Sequence, residues 1–188
     1  AATVPSGQGM WRLAASGVAM IARTLVCGVC IAVAFTGPVP SGQEPSPVST
    51  PSYPPVTAAR LLQPGDGDWL TIRRTYDGWG YSPLNQITTA NVQRLQPAWV
   101  FSTGEQSGHE APPMVNGGMM FVATPRNQVI ALDAVTGRLL WRYRRPLPEP
   151  FVQFHNTSRG VGLFGDKVYF AAAEAVLVAL DARTGQEV

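Results

Sequence analysis

Gly117–Leu140 reads GGMMFVATPRNQVIALDAVTGRLL, and Gly165–Val188 reads GDKVYFAAAEAVLVALDARTGQEV, an ungapped echo 48 positions later. Gly117, Ala123, Ala131, Leu132, Asp133, Ala134, Thr136 and Gly137 recur identically, and elsewhere the apolar and polar positions track each other. Met119–Ala123 and Val129–Leu132 are short apolar runs bounded by turn residues, which predicts antiparallel hairpins. In Asp133-Ala-Val-Thr136-Gly137 the Asp side chain can accept backbone N–H bonds while Gly137 takes the left-handed conformation that closes the hairpin.

A period of about 40–50 residues made of strands and tight turns is the mark of a β-propeller blade. The fold class read from the sequence is therefore all-β, a partial propeller of about two blades. Leu139, Trp141 and Tyr143 alternate with Arg138, Arg142 and Arg144, so one face should pack and the other meet solvent. A Trp at the end of each repeat suits the gap between blades. Two blades cannot close a ring, which typically takes about four to eight. The sequence thus reads as a fragment of a longer protein.

Working outward, residues 1–36 are predicted to hold a secretory signal. Arg23 precedes the apolar run Leu25–Phe35, and Ala32-x-Ala34 has the form of a cleavage site. That run is short for a membrane span, so a retained anchor is the second reading. Cys27 and Cys30 lie inside the apolar run, and Ile31 stands where a haem-attachment motif requires His. Residues 37–65, rich in Pro and Ser, read as a disordered linker. The folded part, 66–188, then opens at Asp66-Gly-Asp68-Trp69, a turn rather than a calcium loop. Thr88 or Thr89 is expected to cap a short helix that Pro97 ends, with Ala98–Phe101 starting the sheet.

Composition excludes some classes of function. Thirteen of the 14 basic residues are Arg, but they are dispersed, and a net charge of +2 leaves no nucleic-acid footprint. Arg142, Arg144 and Arg145 read as a solvated strand end rather than a phosphate site. Ser107 and His109 lack the context of a hydrolase nucleophile.

Two segments carry chemistry, Gly108-His109-Glu110 and His155-Asn-Thr-Ser158-Arg159-Gly160. Each precedes the glycine turn of its own repeat at nearly the same distance. Glu110 and Arg159 should therefore meet at the channel mouth on adjacent blades. There they could form a plain salt bridge, or the guanidinium could grip an anionic ligand.

The string Trp69…Tyr76…Tyr81-Ser-Pro-Leu-Asn-Gln-Ile-Thr88…Asn91-Val-Gln-Arg-Leu-Gln-Pro-Ala-Trp99…Gly108-His-Glu-Ala-Pro-Pro-Met-Val115 resembles the start of the pyrroloquinoline-quinone (PQQ)-dependent alcohol dehydrogenases, periplasmic quinoproteins with an eight-bladed propeller. The resemblance implies PQQ and Ca²⁺ as cofactors. It implies a small-molecule alcohol or sugar as substrate, and a periplasmic cytochrome or membrane quinone as electron acceptor. It also implies quinone-site roles for Glu110, in the Gly-His-Glu segment, and for Arg159, with Ser158 in place of the family's Asn. Alcohol-oxidising members often carry adjacent cysteines that stack on the quinone, whereas this chain has Gln153-Phe154. Phe154 or His155 is then the candidate stacking surface, and the change points away from methanol or ethanol and toward other alcohols, polyols or sugars as substrate. The calcium ligands and the catalytic Asp of the family would fall beyond Val188. The competing class is a non-catalytic envelope propeller, of the kind found in the outer-membrane assembly lipoprotein.

Overall fold

A computed structural model describes residues 51–106, 108–153 and 155–188. Its elements are a short helix α1 (Ala58–Leu62), a 3-10 turn (Val92–Arg94) and seven strands. Strands β1 (Met114–Asn116), β2 (Met119–Thr124), β3 (Gln128–Asp133) and β4 (Leu139–Arg144) form one four-stranded antiparallel sheet in chain order. Strands β5 (Gly162–Phe164), β6 (Lys167–Ala171) and β7 (Leu177–Asp181) repeat the first three in a second sheet. An antiparallel bridge from Leu180 to Glu187 begins a fourth strand there.

The sequence echo is also an echo of hydrogen bonds. The Asp133 carboxylate accepts from Val135 N and Thr136 N at 2.9 and 3.0 Å, and the Asp181 carboxylate accepts from Arg183 N and Thr184 N at 3.0 and 2.8 Å. The Gly137 N–H donates to Asp133 O and the Gly185 N–H to Asp181 O, both at 2.8 Å. Both glycines take φ +72°, a left-handed conformation costly for other residues.

The hydrophobic core fills the space between the blades. Phe121, Ala131 and Trp141 of the first sheet pack with Val168, Phe170 and Leu180 of the second. The other face of β2 and β3, with Met120, Val122, Ile130 and Leu132, lines a groove of about 220 Å³ shared with Trp99 and Phe101. Burial on both faces explains why β3 reads as a continuous apolar run.

Four local expectations need correction. Residues 51–65 do not behave as a disordered linker. Tyr53 and Val56 are core residues, Val56 exchanges two backbone hydrogen bonds with Gly165, and Thr57 caps α1 by accepting from Arg60 N. Proline-rich composition argued for disorder, but Tyr53 and Val56 find apolar surface of the folded part to bury against. The helix expected after Thr88 is only the 3-10 turn, because the Asn91 side chain accepts from Thr88 N and bends the chain locally. Ala98–Phe101 forms no strand, and the first sheet begins at Met114. A bulge between Ala131 and Leu132 shifts the β4 register, so Leu139 is exposed and the alternation holds only from Trp141. The signal segment and residues 37–50 of the expected linker lie outside the described residues.

Candidate functional site

Each blade begins with an extended segment that runs into its first strand, and these two segments lie side by side. His109 and Ser158 form a parallel bridge. Gly108 lets them touch, since a Cβ there would collide with the Asn156 carbonyl oxygen. Its φ of +78° independently favours glycine. Further along, Gly160 faces Ala111 and Pro112.

This arrangement brings Glu110 and Arg159 together. Arg159 Nη1 lies 2.7 Å from Glu110 Oε2, with the Arg side chain 82% and the Glu side chain 45% exposed. A pair this open is worth only about 0–1 kcal/mol. The guanidinium retains Nη2 and Nε for another acceptor, because it carries five N–H donors. Ser158 is half-buried in the bridge, and His155 is exposed with its carbonyl accepting from Thr157 N. Phe154 and Ser107 lie outside the described residues.

The supporting contacts of several residues were not read from sequence. His109 Nε2 lies 3.1 Å from both the Glu105 carbonyl and the Thr103 hydroxyl. Since a carbonyl only accepts, that nitrogen carries its hydrogen. The loop is tied down by Gln128, fully buried in β3, whose Nε2 donates to Thr103 O and Thr124 Oγ1. Arg144 then bridges the Glu105 carboxylate at 2.7 Å and Gln128 Oε1 at 3.0 Å. The signal for this tether was Gln128 itself, an amide within an apolar strand. Arg144 is thus paired rather than merely solvated, and so is Arg145, with Glu174 and Glu187. Asp68 accepts from Arg60 Nη2 and from Gly117 N, which fits its reading as a turn residue. Among the described residues, no group of three or more His, Cys, Asp or Glu side chains is arranged to hold a metal ion.

Two successive antiparallel blades, with their inner-strand segments zipped at one end, define the chain as part of a β-propeller. The family described as PQQ glucose/ethanol/alcohol dehydrogenase β-propeller domain matches residues 69–188, and the chain belongs to that family. It is 36% identical over 169 residues to the dehydrogenase subunit of a quinone alcohol dehydrogenase from Gluconobacter oxydans, covering 87% of this chain and 21% of that protein. Among solved structures it is similar to the quinohemoprotein alcohol dehydrogenase from Comamonas testosteroni, with 38% identity and TM-score 0.58, over 64% of this chain and 18% of the other. It is also similar to a europium-containing methanol dehydrogenase, with 34% identity and TM-score 0.60, over 69% and 24% of the two chains. The chain thus spans about a fifth of the length of these relatives.

Proposed function

We propose that this chain is the N-terminal part of an exported PQQ-dependent dehydrogenase that oxidises an alcohol, polyol or sugar. The observation that carries the reading is the Glu110–Arg159 pair, presented on adjoining segments of neighbouring blades. Family membership, and relatives described as alcohol dehydrogenases, support it. They do not favour the non-catalytic scaffold.

The residues fit an anionic quinone. Arg159 can hold a carboxylate or carbonyl oxygen through its free donors while Nη1 stays on Glu110. Glu110 orients the guanidinium and balances its charge when no anion is bound. The His109–Thr103–Glu105 contacts fix the backbone that carries Glu110. Ser158 and His155, near Arg159 in the chain, are proposed to complete the cofactor wall, and for Phe154 the proposal rests on the family resemblance alone. When bound, PQQ supplies the acceptor for the hydride that leaves the substrate carbon.

Calcium is the metal proposed for this site, with ligands from other parts of the complete protein. A metal would polarise the quinone. A periplasmic cytochrome or membrane quinone is the proposed electron acceptor. The apolar run and cleavage pattern at residues 25–34 support export to the periplasm.

The test is a titration of the full-length apoprotein with PQQ, followed by alcohol-dependent reduction of an artificial acceptor with and without Ca²⁺. Quinone uptake and alcohol-dependent turnover are expected. A folded protein that takes up no PQQ would overturn the reading.

A further inference from the structure

We propose that Asn127, Glu174 and Arg145 form a positioning cluster that holds the Arg159 segment in place for the quinone. The role of the cluster in cofactor binding rests on the function proposed above; the contacts themselves do not.

Asn127 sits in the turn between β2 and β3, yet it is only 3% exposed. Its side-chain amide and its backbone carbonyl are both engaged. Nδ2 donates to Glu174 Oε2 at 2.6 Å, Oδ1 accepts from Ala173 N at 2.8 Å, and the carbonyl accepts from Arg145 N at 3.0 Å. The second Glu174 oxygen accepts from Arg145 Nε at 2.6 Å. The cluster thus joins a turn of the first blade, the residue following β4, and the β6–β7 turn of the second blade. Burial pushes the Glu174 carboxyl up, but its hydrogen bonds, including those from Arg145 and Asn127, outweigh this and hold it below the usual range.

The repeat supplies an internal comparison. Forty-eight residues on, the position of Asn127 is taken by Ala175, which adopts a similar left-handed backbone, φ +64° against +55°. The turn geometry therefore does not demand an amide. Asn127 is explained by its partners, and burying such a network is favourable only when every member is satisfied.

The cluster also reaches the candidate site. Pro125, in the same turn, lies against Gly108, with its Cγ 2.8 Å from where a Cβ would stand. Asn127, Thr157 and Ser158 line one cavity of about 30 Å³. The turn is therefore a floor beneath both segments. Arg145 fixes the start of the connection that ends at Arg159.

The test uses polarity exchange in the full-length protein. Asn127→Asp sets two carboxylates against each other. Adding Glu174→Gln restores the bond with donor and acceptor exchanged, while the new amide oxygen still accepts from Arg145. With Asn127→Asp alone, hydrogen exchange of residues 155–160 in the apoprotein is expected to rise about tenfold, and the double variant should recover to within about twofold. Protection of β3 and β6 should persist. The PQQ dissociation constant should weaken and recover in parallel, a pattern that general destabilisation would not produce. Should Asn127→Asp not fold, Asn127→Gly keeps the left-handed turn and makes the same comparison against wild type. Unchanged exchange at 155–160 alongside a lowered Tm, or no recovery in the double variant, overturns the proposal. If the wild type binds no PQQ, the cofactor reading falls, while the exchange rates still decide whether the cluster places Arg159.

Discussion

The indole of Trp141 closes over Gly185, and its Nε1 donates to the Ala182 carbonyl at 2.9 Å. Trp99 stands in the same relation to Gly137 and Ala134, with its bond at 3.2 Å. In both places a Cβ on the glycine would lie 2.5 Å from an indole carbon. The glycine of the Asp-Ala-x-Thr-Gly turn thus has two reasons to lack a side chain: its left-handed backbone and the ring above it. Trp141→Ala should cost about 3–5 kcal/mol, as expected for a large buried aromatic. Gly185→Ala should cost more than about 1 kcal/mol. Denaturant unfolding of the full-length variants checks both.

Gly108→Ala should act on the site rather than on the core. The added methyl would force Asn156 away and open the seam between the two segments. PQQ affinity is expected to fall about tenfold or more, a loss of at least about 1.4 kcal/mol, alongside a drop in Tm from the strained left-handed backbone. A titration alongside thermal unfolding separates the two effects.

Glu110→Gln and Arg159→Ala probe the ion pair directly. Both side chains are open to solvent, so Tm should barely move. Arg159→Ala should weaken quinone binding by about 2–3 kcal/mol through loss of a charge-assisted contact. Glu110→Gln should impair reconstitution. Unchanged PQQ affinity in Arg159→Ala would remove that residue from the cofactor site.

Tyr53 lies under the Arg183 guanidinium and edge-on to Phe121, and its hydroxyl is buried without a hydrogen-bond partner. Burial is the largest influence on that hydroxyl and pushes its pKa up to about 12; the Asn116 side chain works in the opposite direction. The neutral form is the one the fold favours. Its contribution is therefore present below the unfolded value of about 10 and is lost as pH rises through about 12. Tyr53→Phe should match or exceed wild-type stability at neutral pH and remove this part of the alkaline loss. Unfolding midpoints across pH 9–12 give the comparison (a range set by the ordinary tyrosine value of about 10).

At the acid end the sign reverses. Asp133 is held below the usual carboxylate range chiefly by the Thr136 N–H. For Asp181, burial is outweighed by the Thr184 hydroxyl and N–H bonds. Their stabilisation is present above the unfolded pKa of about 3.9 and fades as pH falls through the lower folded values. Asp133→Asn should destabilise at pH 7 and flatten the acid limb. Urea midpoints between about pH 2 and 7 check this.

Much of the fold was legible because the repeat writes its hydrogen bonds into the sequence. Asp133, Thr136 and Gly137 encode a local turn, which is why Asp181, Thr184 and Gly185 reproduce it. Glu110 and Arg159 were legible as a pair because nearly equal spacing from equivalent turns brings them to neighbouring places. Tyr53 and Val56 were not legible, since their burial depends on an edge more than a hundred residues away (Val56 meets Gly165). The bulge at Leu140 was hidden as well, because one inserted residue changes register without changing apolar pattern.

The sequence by itself determined the strands, their turns and the repeat unit, all set by contacts within a few residues or by a fixed period. Only tertiary structure decided what Gly108, Asn127 and Glu174 are for. Gly108 is explained by a carbonyl at residue 156, and Asn127 by a carboxylate 47 residues away. Local pattern carries no record of such partners, because polar groups are satisfied by whatever the packed blades bring within about 3 Å.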